Sequence, residues 1–505
     1  MADPDLPHRL REALLAADFT YGAVTELLGG EAHRALSRNE TTPALRRVSI
    51  RARSSLASAA RPPRDDGRLA TLVRLFLLQR AVPRADAEAA LPGLVDRLAA
   101  EGFLVQSVGE VAARLDCRPY ATDAAEDLWV VSDLTPGLDG APHRVGADHV
   151  LGISPASTSL AQLTLRADVG SALDLGTGCG VQALHLAAHS GRVVATDVNQ
   201  RALSIARFNA ALNEVADRVE VRDGSFFAPV AGERFDLIAT NPPFVISPAT
   251  GERLVYRDSG LPGDRAVEDI VRAAPDHLAD DGWCQVLANW VIPRERTWEE
   301  RVAGWLPADC DALVVQRETM DPSAYVELWL KDSGDHGGPD YTRRYDTWLS
   351  WLEEQGVAGI GFGWINLRAT RRADAVHDLL EWPYDVEQPI APAIAAWARA
   401  AHEPVGAGSR LVVRPDVRQE TVGAVGAEDP ATIVLRQQRG FRRARDVDTV
   451  TAAVAGACDG DLEVGQILDA VAQLLELDPA ATRQQYLPVV ADLVREGYLE
   501  QLNAT

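Results

Sequence analysis

Leu173-Asp174-Leu175-Gly176-Thr177-Gly178-Cys179-Gly180-Val181 carries a short apolar run into a turn with glycine at every second position, and the helical pattern Gln182 to Ala188 follows. A strand, a glycine turn and a helix in that order begin a parallel α/β unit, and glycine lets a ligand approach the backbone at the helix start. Two familiar loops do not fit. The dinucleotide fingerprint needs its third glycine one residue later, where Val181 stands, and a phosphate-binding P-loop needs Gly-Lys-Ser/Thr. No basic residue lies in the turn, so it serves a phosphate poorly and tolerates a neutral nucleoside carrying an amino acid.

Further strands follow at helical intervals. Val193-Val194-Ala195-Thr196-Asp197 ends in an acid about twenty residues on, the geometry of a carboxylate gripping ribose hydroxyls. Val219 to Arg222 runs into Asp223-Gly224-Ser225-Phe226, polar groups at the next strand end. Phe235 to Thr240, Gly282 to Ala288, Ala312 to Gln316 and Val357 to Leu367 complete a Rossmann-like sheet of seven strands over residues 119–370, with a helical insertion at about 322–355. Residues 1–118 read as a helical domain, and 371–505 as a C-terminal α+β region.

Phe235 to Thr240 stops at Asn241-Pro242-Pro243-Phe244 because two prolines cannot continue a ladder. An Asn side-chain carbonyl, the Pro242 main-chain carbonyl and the Phe244 ring together suit a planar amide or an exocyclic amino group, two acceptors taking its N–H bonds while the ring stacks. A plain Asn-Pro turn closing a strand is the bland alternative.

Taken in order, these motifs resemble the class I S-adenosylmethionine-dependent N-methyltransferases, and within them the small-methyltransferase group that includes HemK-type glutamine methyltransferases and several RNA base methyltransferases. The resemblance covers about 150–300. It implies S-adenosyl-L-methionine as cofactor, with Gly176, Gly178 and Gly180 under the methionine moiety, Asp174 orienting its amino group, Asp197 on the ribose, and Asp223 or Ser225 meeting adenine. Asn241 and Pro242 would hold the acceptor nitrogen and Phe244 would stack on it. The loop Gly152 to Thr158 resembles the segment lying over the cofactor in HemK-type enzymes. Methyl transfer of this kind needs no general base, so His143, His149 and His185 are expected to be structural. The implied acceptor is macromolecular, a protein glutamine or an RNA base; a small-molecule N-methyltransferase and a non-catalytic cofactor-binding scaffold are the alternatives.

The rest of the chain bounds these expectations. A net charge of -23 over 505 residues disfavours general coating of nucleic acid. The five cysteines never form C-x-x-C, which indicates neither a zinc site nor a disulfide framework and fits a cytoplasmic protein. No membrane span is expected. Ten arginines against two aspartates between Ala44 and Arg84, and a second group at Arg436, Arg439, Arg442, Arg443 and Arg445, could face a partner such as an RNA, although solvated arginine faces are the more frequent explanation. Two helix endings repeat, Leu94 to Leu104 and Val489 to Leu499, each a helix, an acidic-Gly stop and an aromatic-Leu strand start; they resemble winged-helix modules.

Overall fold

The computed structural model describes residues 3–57, 66–122, 127–141, 145–146, 148–248, 260–334, 336–425 and 430–502. The chain forms two compact units. One comprises Met1–Ala161, Arg166–Ala373 and Leu379–Glu381, the other Gln162–Leu165, Asp374–Asp378 and Trp382–Thr505. His143 and most of the breaker at Arg61 to Gly67 lie outside the described residues.

The strands of the main sheet are β1 (Val169–Leu175), β2 (Ser190–Asp197), β3 (Val219–Asp223), β4 (Phe235–Thr240), β5 (Leu278–Pro293), β6 (Asp311–Met320) and β7 (Val357–Arg368), all in the first unit, and β8 (His377–Glu381). Their spatial order is β8-β6-β7-β5-β4-β1-β2-β3. A short eighth strand thus joins the edge beyond the seven expected. β1 to β5 run parallel, while β7 is antiparallel to both β5 and β6. Parallel strands covered on both faces must be apolar nearly throughout, and β1 and β4 bury Ala172, Leu173, Leu175, Leu237, Ile238 and Ala239.

The register puts the carboxyl ends of the strands side by side. Leu175 pairs with both Thr196 and Thr240, and Asp197 with Asp223. The buried Thr240 hydroxyl donates to the Leu175 carbonyl at 2.7 Å, tying β4 to β1 at their last residues. Strand order reverses here, since β2 and β3 lie to one side of β1 and β4 to the other. Such a switch point is where open α/β sheets hold their ligand.

β5 is far longer than the 282–288 expected. Its start is a bulge, with Asp281 at φ 60° and the register shifting between Leu278 and Trp283. At Gly282 a Cβ would stand 2.8 Å from the Phe235 carbonyl oxygen, so only glycine lets β5 rejoin β4 there. Its far end is held by Trp290, which is fully buried and donates from Nε1 to Gln316 Oε1 at 3.0 Å. Between β6 and β7 stand the helices Pro322–Asp332 and Tyr341–Glu354, matching the expected insertion. The first is capped by Asp321, whose carboxylate accepts from Ala324 N–H at 3.0 Å.

Ahead of the sheet, helices from Leu6 onward share a core with Phe208 and Leu212 of the helix Gln200–Leu212. The hairpin Leu115–Ala121/Asp127–Asp133 joins them to it. Asn209 and Asn213 each exchange two hydrogen bonds with that hairpin's backbone, at Val131 and Trp129, all between 2.8 and 2.9 Å. Two buried amides thereby complete a strand edge as another strand would.

Both repeated endings are present as read. Val95–Ala100 stops at Gly102, φ +80°, before the strand Leu104–Ser107; Pro479–Arg495 stops at Gly497, φ +79°, before Leu499–Gln501. Each strand is an outer member of a three-stranded sheet. The middle strand is Glu110–Ala113 in the first, which follows in sequence, and Arg410–Val413 in the second, which precedes. The second unit also holds the sheet Val417–Val422, Thr432–Gln437, Ala444–Val447 and the helix Ala391–Ala400. Among the described residues no helix is long and apolar enough to cross a membrane.

Candidate functional site

A cavity of about 690 Å³ opens at the switch point, within the range of small-molecule sites. Its walls are the glycine turn after β1, the end of β2, the turn after β3, the Asn241 corner after β4, and the loop 148–157. Asp174, Gly176, Gly178, Asp197, Ser225, Asn241, Pro242 and Phe244 all line it. Gly180 and Asp223 do not. Gly180 is left-handed at φ +86°, and a Cβ there would meet the Ala206 backbone and side chain at 3.2 Å. Its bareness lets the helix Val181–Ala187 pack against Gln200–Leu212. Asp223 is exposed at the end of β3, with Gly224, Ser225 and Phe226 forming the cavity wall in its place.

The acids are oriented by backbone donors. Asp197 Oδ2 accepts from Gly178 N–H and Oδ1 from Asn199 N–H, both at 2.9 Å. Burial raises its pKa against the pull of those bonds. Asp174 Oδ2 accepts from the Thr177 hydroxyl at 2.5 Å and from Ala183 N–H at 2.9 Å. It is 1% exposed, and burial pushes its carboxyl up to about 7. These two acids therefore hold the turn in shape and retain lone pairs for a ligand.

Two residues of the cavity lining, Asn241 and Gln182, each carry a buried side-chain oxygen, Oδ1 and Oε1, without a hydrogen-bond partner among the described residues. Leaving such an acceptor unpaired costs about 1–3 kcal/mol, and functional sites are where proteins tolerate it. Phe244 stands edge-on to Trp329, ring centroids 6.2 Å apart at 64°. Past the corner, Ile246 is gripped from both sides by the helical insertion: its N–H donates to the Tyr325 hydroxyl at 2.8 Å, and its carbonyl accepts from Trp348 Nε1 at 2.9 Å.

The loop 148–157 forms one wall of the cavity. Ser154 and Ser157 cap one another's backbone, and Val150 N–H donates to Asp133 Oδ2 at 2.7 Å. Arg201 pairs with the same carboxylate. His149 also borders the cavity, beside Asp133, and burial lowers its pKa. His185 faces the Tyr120 hydroxyl at 3.1 Å instead. His149, expected to be structural, thus borders the cavity, and Gln182, Tyr325 and Trp348 went unnoticed in the sequence. Only Gln182 left a signal there, a polar residue in an otherwise apolar first turn.

Several arginines of the two groups are engaged. Arg436 pairs with Glu420, Arg439 with Glu387 and Arg445 with Glu496, while Arg443 is stacked near Trp382 and Phe441. In the N-terminal group Arg80 pairs with Asp139 and Arg84 with Asp96. All five cysteines are buried, and the described residues hold no cluster of His, Cys, Asp and Glu able to bind a metal.

The sheet and its strand-end cavity define a Rossmann-like α/β domain. Residues 152–304 match the family model described as Methyltransferase small domain. Residues 16–114 and 393–501 match two domains of unknown function, DUF7059 and DUF7782. A ribosomal protein uL3 glutamine methyltransferase from Bradyrhizobium diazoefficiens is 37% identical over 22% of this chain and 38% of its own. A release factor glutamine methyltransferase from Xylella fastidiosa is 36% identical over 23% of this chain and 46% of its own. A ribosomal RNA small subunit methyltransferase C from Erwinia tasmaniensis is 29% identical over 37% and 50%. The chain spans half or less of the length of these curated relatives.

Proposed function

We propose that the chain is an S-adenosylmethionine-dependent N-methyltransferase acting on a planar nitrogen of a macromolecule, with a protein glutamine amide as the favoured acceptor. The observation that carries the proposal is the unpartnered, buried Asn241 oxygen at the end of β4, in one cavity with the glycine turn after β1.

The residues fit the cofactor. Asp197 keeps free lone pairs on both oxygens for a ribose diol, Asp174 faces the cavity from the foot of the turn, and Gly176 and Gly178 leave the floor bare. No lysine or arginine stands in the turn, which suits a ligand without phosphate. When bound, the cofactor supplies a methyl group on a sulfonium, an electrophile that needs alignment more than activation. Alignment is the work of the corner. Asn241 Oδ1 and the Pro242 carbonyl accept the two N–H bonds of the acceptor amide, and Phe244, braced by Trp329, presents a flat face. Positioning of this sort can contribute roughly 7–11 kcal/mol. The proton on nitrogen leaves to solvent after transfer, when the nitrogen has become acidic.

A glutamine acceptor is favoured because Arg80, Arg84, Arg436, Arg439 and Arg445 already have acidic partners and the chain carries -23 overall. The similarity to the Erwinia enzyme, over a longer span than the other two, supports an RNA base as the second reading. Tritiated S-adenosylmethionine added with the protein to cell extract separates them. Protease-sensitive, RNase-resistant label is expected, with Asn241→Ala losing at least about 100-fold of the label, on the scale of one oriented hydrogen-bonding group. RNase-sensitive label would move the acceptor to RNA, and no transfer to any fraction would leave a cofactor-binding scaffold.

A further inference from the structure

Gln182 is the second residue of the helix Val181–Ala187 and is only 4% exposed. Its Nε2 donates to the Ser157 carbonyl at 2.6 Å. A carbonyl can only accept, so this bond fixes which way the amide points: the amino group faces Ser157 and the oxygen faces elsewhere. That oxygen is buried with no hydrogen-bond partner among the described residues, on a residue that lines the cavity. An enclosed acceptor of this kind calls for a donor that arrives with a ligand.

The ligand donor can be identified by place. The proposed nucleoside-amino acid offers three sets of N–H or O–H groups: the ribose diol, the adenine amino group and the α-ammonium. Asp197, at the end of β2, is the partner for the diol, and the turn after β3 lies where adenine belongs. Gln182 belongs to the β1 end, because its neighbour Ala183 donates its backbone N–H to Asp174. The donor left for that end is the ammonium.

We propose that Gln182 Oε1, alongside Asp174, receives the α-ammonium of the cofactor's amino-acid end, and that Gln182 is therefore the residue distinguishing a complete cofactor from its truncated nucleoside. The inference rests on the cofactor reading above. It adds a neutral acceptor to a charged one. Asp174 has one oxygen already engaged by Thr177 and Ala183, whereas the Gln182 oxygen is free for the cation and keeps its acceptor character at every pH. The Ser157 bond gives the same side chain a second task, coupling the covering loop to the cofactor's amino-acid end.

The test is calorimetry on the full-length chain with two ligands. S-adenosylhomocysteine carries the ammonium; 5′-methylthioadenosine has the same nucleoside and sulfur without the amino-acid end. Gln182→Met keeps the length and removes the acceptor. It is expected to weaken S-adenosylhomocysteine about tenfold, the scale of one hydrogen bond to a charged group, and to leave methylthioadenosine within twofold. Unchanged preference between the two ligands, or equal loss of both, overturns the assignment while the cofactor reading stands. Wild-type protein that binds neither ligand overturns both. If Gln182→Met does not fold, Gln182→Leu, which also removes the acceptor, should lower the preference for S-adenosylhomocysteine over methylthioadenosine in the same way; an unchanged ratio refutes the proposal.

Discussion

Replacing Asp197 by alanine should weaken S-adenosylhomocysteine by about 100-fold while the chain stays folded. Each carboxylate oxygen already accepts one backbone N–H at 2.9 Å, from Gly178 and from Asn199, so its remaining lone pairs are aimed at whatever enters the cavity. Two ribose hydroxyls bonded to a charged acceptor contribute about 1.5–3 kcal/mol each, and water returning to the space restores part of that. A net loss near 3 kcal/mol corresponds to roughly two decades in Kd. Folding stability should change less. Orphaning the two N–H groups destabilises, but burial holds the Asp197 pKa above the ordinary carboxylate value, so removing the charge gives something back. The assay is titration calorimetry with S-adenosylhomocysteine and 5′-methylthioadenosine, with thermal unfolding alongside. Both ligands carry the ribose, so both must weaken by the same factor. An affinity within threefold of wild type in a variant that unfolds normally would refute the ribose role of Asp197.

Burial sets Asp174 near 7, well above the roughly 3.9 of an unfolded aspartate, so the folded chain binds an extra proton between those values. Its contribution to stability is full below about pH 4, declines as pH rises to about 7 and is level above; Asp174→Asn should flatten that part of a stability-pH curve. Affinity for the cationic ligand end should run the opposite way, falling as pH drops below about 7, and pH-independent calorimetry between 5.5 and 8 would contradict an ionised Asp174 in the complex. Tyr325→Phe removes the hydroxyl that receives the Ile246 N–H, leaving a buried donor unpaired at a cost of about 1–3 kcal/mol, readable as a lower urea midpoint. An unchanged midpoint would mean the insertion does not hold the segment after the Asn241 corner.

The parts of the site written locally were legible. Leu173 to Val181 and Phe235 to Phe244 each encode a strand, its stop and the group at its end within ten residues, and periodicity finds such units. What the sequence hid was carried by distance. Tyr325 and Trp348 reach Ile246 across 79 and 102 residues, and nothing in the pattern of the insertion distinguishes a solvent-facing helix pair from one that clamps a loop. Gly180 shows the converse. Its motif position suggested contact with a ligand, while its Cβ direction is filled by Ala206 and so explains the glycine through helix packing. The arginine groups were legible as charge but not as pairs, because Glu420 and Glu387 are brought to them only by folding.

The reversal of strand order at β1 divides the labour of the site along the chain. Most of what would grip the cofactor is complete by residue 226, whereas the acceptor corner and the helices that brace it come from residue 240 onward. A chimera exchanging only the downstream half for that of another strand-end enzyme would keep one ligand and change the other. For a designer, the Thr240–Leu175 tie is the natural splice point, the last place where the two halves must still agree.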